Sequence, residues 1–360
     1  MTLVWKSEKK YNKNRTGRKD TMTKMKNKNE TRKIFFQENK NEISIAILVV
    51  ILLIVSPMLS EFFLSSANIL NLLRQTAYTA IAAIGMYFVI LIGGIDLSIG
   101  STIQIVGMAS IIMLNHGYSM GITIVSILLL SVGCGLINGI LVTIGKLQPF
   151  VVTLVMKEIM AGIVLITTGG ASISGQSIPD SFMVIGTGYI GIVPIPVIIM
   201  ILVFIIAFFV MKKMIYGRLL FVCGSNRRAA YNSGVNVCMI QISAYVLCSL
   251  CAAVSGLLIV ARTGAFQPST TGQGATGMEM NAIAAVVIGG ATLAGGVGTV
   301  TGTMLGALLY GILANLFPLI GVSSYLQQLI QGLIILFAVI ISVKDSQSIV
   351  QKMKVRLRKL

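Results

Sequence analysis

The stretch VILIGGIDLSIGSTIQIVGMASIIML, residues 89–114, decides the fold class of this chain. Two apolar runs flank its centre, and the interruption between them holds two glycines and a single acid, Asp96. A helix needs about 20 apolar residues to cross the hydrocarbon core of a bilayer, because each residue adds only about 1.5 Å along the axis. The apolar runs on the two sides of the interruption, residues 71–92 and 97–114, therefore predict two membrane-spanning helices.

The same measure, applied to the whole chain, predicts an all-α polytopic membrane protein of about ten spans. The predicted spans cover residues 43–60, 71–92, 97–114, 119–144, 150–169, 193–211, 239–261, 279–295, 299–317 and 323–343. The eighth and ninth spans are rich in glycine, so a broken helix pair or a re-entrant element is the alternative there. The glycines concerned are Gly289, Gly290, Gly295, Gly296, Gly298, Gly302 and Gly306.

Composition and charge distribution also indicate a membrane protein. Only 11% of the 360 residues are charged, whereas a soluble domain carries about a quarter. The net charge of +17 comes mainly from two basic tails, residues 1–42, which are predicted to be disordered, and the shorter residues 344–360. This concentration of charge in the tails argues against a nucleic-acid partner. Residues 43–343 form the predicted transmembrane domain, where charges are few because each costs about 2.5 to 3.5 kcal/mol at the bilayer centre.

Charge in the loops predicts which side of the membrane each one faces. Short loops rich in Lys and Arg stay in the cytoplasm, and residues 212–238 carry five such residues with no acid. Residues 61–70, 115–120, 170–192 and 318–324 carry none and are predicted to be external. An even number of spans with both basic tails in the cytoplasm satisfies every loop, and contact of the tails with anionic lipid is expected.

Glycine clusters inside the apolar runs, where it lets helix backbones approach closely. Residues 90–101 (ILIGGIDLSIGS) resemble residues 286–297 (VVIGGATLAGGV), and paired glycine-interrupted segments predict a transporter repeat with a site between its halves. Chance similarity in glycine-rich sequence is the alternative. The candidate packing glycines are Gly93, Gly94, Gly289, Gly290, Gly295 and Gly296.

Three blocks follow one another along the chain: GGIDLSIGS at residues 93–101, Asn138-Gly139 with QPFVVTL at 148–154, and NAIAAVVIGG at 281–290, continuing through Gly302. Together they resemble the ribose-type, or carbohydrate uptake transporter 2, ABC sugar permeases over about residues 66–343. The resemblance implies a permease of the bacterial cell membrane that imports a small sugar. It implies as partners a second permease, identical or not, an extracytoplasmic sugar-binding protein, and a cytoplasmic ATPase that binds ATP and Mg, so that this chain needs no cofactor.

The basic loop contains a fourth block, GSNRRAAYNSG at residues 224–234, which resembles the segment that forms the ATPase-coupling helix in this family. On that resemblance, small Ala229 and Ala230 let a helix from Ser225 to Ser233 seat in an ATPase groove, and Gly234 ends it in a left-handed turn. A plain helix–loop–helix connection is the alternative. The coupling candidates are Asn226, Arg227, Arg228, Ala229, Ala230 and Gly234; Arg228 departs from the acid that many relatives have there.

Few polar residues in the spans are candidates for the translocation path. Asp96 either shapes the path or caps the next helix by accepting amide hydrogens near Ser98 and Ile99. Glu279 is either a first-turn partner of a helix dipole or a path residue. The candidates are Asp96, Ser98, Asn138, Glu279 and Asn281, the last standing where many relatives have Asp. Lys157 and Glu158 are expected near the cytoplasmic end of the fifth span, where the Lys stem can extend to the interface.

No motif in the sequence supports catalysis or a metal site. The nearest approach to a phosphate-binding loop, GILVTIGKL at residues 139–147, has the wrong spacing, and His116 is the only histidine. A related ABC permease for a nucleoside or a branched-chain amino acid is the nearest alternative function. An ion-coupled secondary carrier is a more distant one, since Asp96 and Glu279 alone make a poor ion site.

Overall fold

Apolar helices form most of the computed structural model, which describes residues 40–268, 277–334, 336–337 and 340. The helices are α1 (Lys40–Leu59), α2 (Ser66–Leu91), α3 (Ile99–Asn115), α4 (Met120–Thr143), α5 (Pro149–Thr168), α6 (Asp180–Thr187), α7 (Ile195–Lys213), α8 (Ile215–Ser225), α9 (Arg227–Asn232), α10 (Val237–Thr263), α11 (Met278–Ile288) and α12 (Val300–Leu319). Residues 324–334 are also helical. Four two-residue strands are β1 (Ile173–Ser174), β2 (Tyr189–Ile190), β3 (Val193–Pro194) and β4 (Ala265–Phe266).

Six helices of the described chain are long and apolar enough to cross a membrane: α1, α4, α5, α7, α10 and α12. The prediction of a helical polytopic protein is therefore confirmed, whereas the predicted number of about ten spans is not established by these six. Helix α2 is 26 residues long, and its C-terminal two-thirds are buried, so protein rather than lipid surrounds it. The predicted basic tails lie outside the described residues, apart from the start of α1.

Two interior helices, α2 and α10, hold the core together. Helix α10 packs against α2, α3 and α4, and α2 also packs against α11 and α12. Glycine allows the closest of these contacts: a Cβ on Gly85 of α2 would lie 2.7 Å from the Cβ of Cys251 in α10, and one on Gly135 of α4 would lie 2.7 Å from the Cα of Val246. Small residues at such crossings let the backbones meet, as the sequence predicted for its glycines in general.

The eighth predicted span, 279–295, is wrong as a continuous crossing. Helix α11 has 11 residues, which is about 16 Å of helix against a hydrocarbon core of about 30 Å. After it, the chain turns through residues 289–299 into α12, with Gly290, Gly295 and Gly296 all at positive φ. The alternative of a broken helix pair is the one that the structure shows, because three left-handed residues cannot continue a helix.

The two ends of α10 define the two ends of the described bundle. At its C-terminus, β4 pairs antiparallel with β1, which joins the connection after α10 to the connection after α5. The Asn115 Nδ2 atom at the end of α3 donates to the Ser174 carbonyl (3.0 Å), so α3 also ends here. With 27 residues, α10 is about 40 Å long, and its N-terminus, which follows α8 and α9, lies at the opposite end.

Candidate functional site

Three of the predicted path residues, Asp96, Ser98 and Asn138, meet in one buried network. The Ser98 amide and hydroxyl both donate to the Asp96 Oδ1 atom, at 2.9 and 2.6 Å. The Asn138 Nδ2 atom of α4 donates to the Ser98 hydroxyl at 2.8 Å. Asp96 therefore accepts one of the two amide hydrogens that the cap interpretation predicted, that of Ser98 just before α3, and the Asn138–Ser98 bond ties this start to α4.

Helix α5 is fastened to the same break in the chain. The Thr153 hydroxyl lies 3.2 Å from the Ile95 carbonyl, one residue before the carboxylate. One turn further along, the Ser101 hydroxyl of α3 donates to the Lys157 carbonyl at 2.9 Å. The chain break before α3 is thus held by side chains of both α4 and α5.

A crossing of three backbone segments lies beside this break. The Gly296 amide donates to the Leu91 carbonyl at 2.8 Å, joining the end of α2 to the turn between α11 and α12. A Cβ on Gly224, at the end of α8, would lie only 1.9 Å from that same carbonyl oxygen. A Cβ on Gly295 would lie 2.7 Å from the Gly93 amide nitrogen. Side chains are excluded at this crossing, because the three backbones are in contact.

The remaining candidate glycines serve other contacts. A Cβ on Gly94 would lie 2.6 Å from the Tyr245 hydroxyl of α10. A Cβ on Gly289 would lie 2.5 Å from the Gly302 carbonyl, so this glycine packs the end of α11 against α12. The two similar segments thus meet where Gly295 and Gly296 contact Gly93 and Leu91, whereas the aligned pair Gly289-Gly290 packs elsewhere.

The predicted coupling segment forms a short, well-terminated helix, α9. The Asn226 side chain accepts from the Ala229 amide at 3.0 Å, which satisfies a free donor in its first turn. At the other end Gly234 has a φ of 81°, the Val235 amide donates to the Ala230 carbonyl, and the Gly234 amide donates to the Tyr231 carbonyl. This pair of bonds is a Schellman motif, so Gly234 ends the helix in the left-handed turn that the sequence predicted.

Arg227 links α9 to the break before α3. Its Nη2 atom donates to the Ile92 carbonyl at 3.1 Å, immediately before the Gly93 crossing. With the Gln241 amide turned so that its oxygen faces the guanidinium, that oxygen accepts from Nε and Nη2, both at 2.9 Å. The guanidinium fork therefore joins three segments: α9, the end of α2 and α10.

The expectation that Ala229 and Ala230 both face outward is wrong for one of them. Ala230 is fully buried inside this chain, whereas Arg228 and Ala229 are exposed and Tyr231 is 74% exposed. A helix that packs against the rest of its chain has one buried and one exposed face. Because successive residues of a helix point about 100° apart, two neighbours such as Ala229 and Ala230 can lie on different faces. Ala230 is small because it packs inward, and the outer face carries Arg228, Ala229 and Tyr231.

Helix α8, which directly precedes the coupling segment, also contacts α10. The Tyr216 hydroxyl of α8 lies 2.8 Å from the Ser243 hydroxyl of α10. Burial raises the pKa of Tyr216 above its ordinary value, against a smaller opposing effect of the Ser243 hydrogen bond. Tyr216 therefore remains a neutral hydrogen-bonding group over the whole physiological pH range.

Glu279 forms an ion pair that the sequence did not predict. Its buried Oε1 atom lies 2.7 Å from the Lys157 Nζ atom. The expectation that Lys157 and Glu158 lie near the end of a span is wrong, because both stand in the middle of α5, which has 20 residues. Instead of extending its stem to an interface, Lys157 neutralises an acid on another helix, and Glu279 keeps its predicted place in the first turn of α11.

Asn281, the last of the predicted path residues, faces a different partner. Its Oδ1 atom accepts from the Tyr310 hydroxyl of α12 at 2.5 Å. The five predicted path residues thus fall into one network around Asp96, one ion pair at Glu279 and one α11–α12 contact at Asn281. The hydrogen bond between Ser101 of α3 and Lys157 of α5 connects the Asp96 network to the ion pair.

Several residues at these contacts were missed at the level of sequence, among them Lys157, Gly224, Gln241 and Tyr245. Lys157 had a usable signal, since a cation in the middle of an apolar run needs an acidic partner and Glu279 is one of few. Gly224, Gln241 and Tyr245 gave none, because ordinary helix residues reveal their partners only once the fold is known.

Within the described ranges, no three His, Cys, Asp or Glu side chains are grouped to hold a metal ion, and His116 Nδ1 lies 2.8 Å from the Ile112 carbonyl.

A family described as the permease component of branched-chain amino acid transport systems matches residues 68–339. The chain belongs to this family. The match takes in every contact described above, from Gly85 to Tyr310. The family and the six apolar helices together make this chain a multi-pass protein of the cell membrane.

Relatives within the family share more than a third of their residues with this chain. The ribose import permease of Haemophilus influenzae is 39% identical over 319 residues, covering 87% of this chain and 96% of that protein. The ribose import permease of Escherichia coli K12 is 37% identical over 314 residues (87% and 95%), and that of Bacillus subtilis 38% over 296 residues (82% and 91%). The resemblance to ribose-type sugar permeases is therefore confirmed. No solved structure matches the chain.

Proposed function

We propose that this chain is the membrane-spanning permease subunit of an ABC importer and that its cargo is ribose or a closely similar monosaccharide. The observation that carries the proposal is similarity over nearly the full length to ribose import permeases. The contacts of α9 add a physical reason, since a short capped helix with an exposed outer face suits a groove on a separate protein.

In this proposal ATP and Mg bind to the partner ATPase and not to this chain. A second permease, an ATPase and an extracytoplasmic sugar-binding protein complete the importer, and both termini of this chain lie in the cytoplasm. The span number of about ten includes α2, α3, the broken α11 element and the helix at residues 324–334 beside the six long apolar helices. The sugar-binding protein supplies most of the selectivity, because a path must bind its cargo weakly enough to release it.

The contacts of Arg227 suggest how movement of α9 reaches the membrane domain. A displacement of α9 pulls on the carbonyl of Ile92, which directly precedes the glycine pair Gly93-Gly94 and lies four residues before Asp96. The backbones cross without side chains at Gly224 and Gly295, so the three segments move as one body. The start of α3 then shifts relative to α4 and α5, which hold it through Asn138 and Thr153.

The structure gives a secondary carrier little support. A coupling-ion site needs several ligands around one point, and within the described residues Asp96 and Glu279 lie in separate contacts, with Ser98 and with Lys157. An amino-acid cargo is the wider family's description, but relatives that are 37 to 39% identical to this chain are named ribose import permeases. The sugar importer is therefore the function that the observations support best.

Uptake of labelled substrates by a strain lacking this chain and by the same strain complemented with it tests the proposal. Ribose uptake should depend on the chain and on the ATPase and binding protein expressed with it, whereas leucine and adenosine uptake should not. Ribose uptake that is equal with and without the chain would overturn the cargo. Uptake that continues without any ATPase would overturn the ABC mechanism.

A further inference from the structure

The connection between α5 and α7 has two parts of opposite character. Residues 169–177 (GGASISGQS) are small or polar apart from one isoleucine, whereas residues 189–193 (YIGIV) are apolar or aromatic and carry no charge. Water suits side chains of the first kind, but apolar side chains are more stable when they are removed from water. The second part therefore calls for different surroundings from the first.

Residues 189–193 form a small β-hairpin, which we name the apolar hairpin. Tyr189 pairs with Pro194 and Ile190 with Val193, so strands β2 and β3 are joined by a turn of two residues. The first of these, Gly191, has a φ of 62°, which glycine adopts without strain. The side chains at the tip therefore have a defined direction.

The tip of the apolar hairpin exposes two large apolar side chains. Ile190 is 64% exposed and Ile192 is 88% exposed, which is the highest value for a large hydrophobic side chain among the described residues. An isoleucine left in water forgoes about 1.5 to 3 kcal/mol that burial in apolar surroundings would supply. Two such residues side by side on one rigid turn indicate an apolar environment.

The position of the apolar hairpin along the bundle places it at the surface of the bilayer. Helix α7 begins at Ile195, only two residues after Val193, and its 19 residues are about 28 Å long, against a hydrocarbon core of about 30 Å. The hairpin therefore begins where the core ends. The exposed side of α7 includes Leu202 and Ile205, so the hairpin is joined directly to a helix whose exposed side suits lipid.

Arg74 of α2 holds the base of the hairpin at this level. Its guanidinium carbon lies 4.7 Å from the centre of the Tyr189 ring, and its Nη2 atom donates to the Thr187 carbonyl at 3.3 Å. Neither partner is an anion, and Arg74 forms no ion pair with any residue in the described ranges. The lipid headgroup layer supplies negative phosphates, and Tyr and Arg are side chains that suit this layer.

We propose that the apolar hairpin is a membrane anchor, with Ile190 and Ile192 inserted among the acyl chains at the bilayer surface. A phospholipid leaflet fits the tip better than another protein does, because the tip has no charge or hydrogen-bonding side chain and the hairpin leads straight into α7. The proposal goes beyond the proposed function and does not depend on the cargo; in the proposed topology the leaflet is the outer one. Insertion fixes this end of α7 relative to the membrane.

Fluorescence of the full chain in lipid vesicles tests the insertion. Trp5 is the only tryptophan, so Trp5→Phe provides a background without tryptophan. Into it are placed Ile192→Trp, the control Ser172→Trp in the polar part of the same connection, and Leu202→Trp on α7. Lipid with brominated acyl chains should quench Ile192→Trp about twofold or more beyond Ser172→Trp, because a ring at the hairpin tip lies among acyl chains. Leu202→Trp gives the value for a lipid-facing site.

Iodide dissolved in the water supplies the contradicting results. It should quench Ser172→Trp and leave Ile192→Trp nearly unchanged. Strong quenching of Ile192→Trp by iodide would place the tip in water and overturn the proposal. Weak quenching by both reagents would mean that protein covers the tip, as would iodide quenching that a purified sugar-binding protein removes, and either result would also overturn it.

A second measurement avoids tryptophan, which itself favours the membrane surface. In the same vesicles, Ile192→Cys and Ser172→Cys are treated with a charged thiol reagent, with the parent chain as background for its own five cysteines. Both positions are exposed within this chain, yet Ile192→Cys should react about tenfold more slowly, because thiols react as hydrated thiolates. Equal rates would overturn the insertion. Neither measurement requires ribose uptake, so failure of the proposed cargo would leave the anchor standing.

Discussion

Asp96 and Glu279 are both buried carboxylates in the apolar bundle, and in each of them one oxygen is held, but the two oxygens are held in different ways. Asp96 accepts hydrogen bonds from the amide and the hydroxyl of Ser98, the residue directly before the next helix. Glu279 instead pairs with Lys157, a cation 122 residues away in sequence. A carboxylate held by its own chain segment depends on local geometry, whereas one held by an ion pair depends on two helices keeping their positions.

This difference separates a contact within one chain segment from a contact between two helices. The Asp96 network holds the start of α3 in one shape, and Arg227 of α9 donates to the Ile92 carbonyl four residues before Asp96. The Lys157–Glu279 pair spans α5 and α11, and Lys157 is 31% exposed at its edge. Such a pair weakens when the helices separate, because water then competes for both charges.

Removal of the cation should have the largest effect. Lys157→Met leaves Glu279 buried without a partner and should lower the free energy of unfolding by about 3 to 5 kcal/mol. The double variant Lys157→Met/Glu279→Leu should regain most of that loss, because no unpaired charge remains. Unfolding of the purified protein by denaturing detergent measures both. A double variant as unstable as the single one would contradict the ion-pair account.

Changes at Asp96 should have a smaller effect. Asp96→Ala leaves the buried Ser98 donors unpaired and should cost about 1 to 3 kcal/mol. Asp96→Asn keeps an acceptor oxygen at the same place and should cost less than half as much. The same unfolding measurement, with Asn as the matched control, decides this point. Equal losses for the two variants would mean that the negative charge of Asp96, rather than its hydrogen bonds, stabilises the break.

Loss of the Arg227 contact should have the smallest effect on stability. The effect should depend on the Asp96 network and be independent of the Lys157–Glu279 ion pair. Arg227→Ala removes the bonds to Ile92 and Gln241 and should cost about 1 kcal/mol. Combined with Asp96→Ala, its loss should deviate from additivity, because both residues fix the same break. Combined with Lys157→Met, it should add within about 0.5 kcal/mol. The unfolding free energies of the double variants decide this point. Additivity with Asp96→Ala together with non-additivity with Lys157→Met would mean that Arg227 is coupled to the ion pair instead.

Features of the fold that depend on local sequence were predicted, and contacts between distant residues were not. The cap at Asp96 and the left-handed Gly234 follow from bonds between near neighbours, and the sequence shows those directly. The length of α11 was predicted wrongly as a full span, although the glycines of this region indicated a broken helix pair as the alternative; the sequence alone did not decide between the two. The Lys157–Glu279 pair and the inward direction of Ala230 depend on which helices become neighbours, and no local pattern encodes that.

The outer face of α9 provides the most direct test of the central claim, that this chain is the permease of an ATP-driven importer. Ala229→Trp adds bulk on that exposed face without altering the core, and Leu129→Trp adds the same bulk at a site on α4 that is 66% exposed. Ribose uptake and co-purification of the ATPase are measured for both variants at equal membrane abundance. We expect Ala229→Trp to lose most of its uptake and bound ATPase, and Leu129→Trp to keep both. Normal uptake and normal ATPase binding in Ala229→Trp would contradict the account.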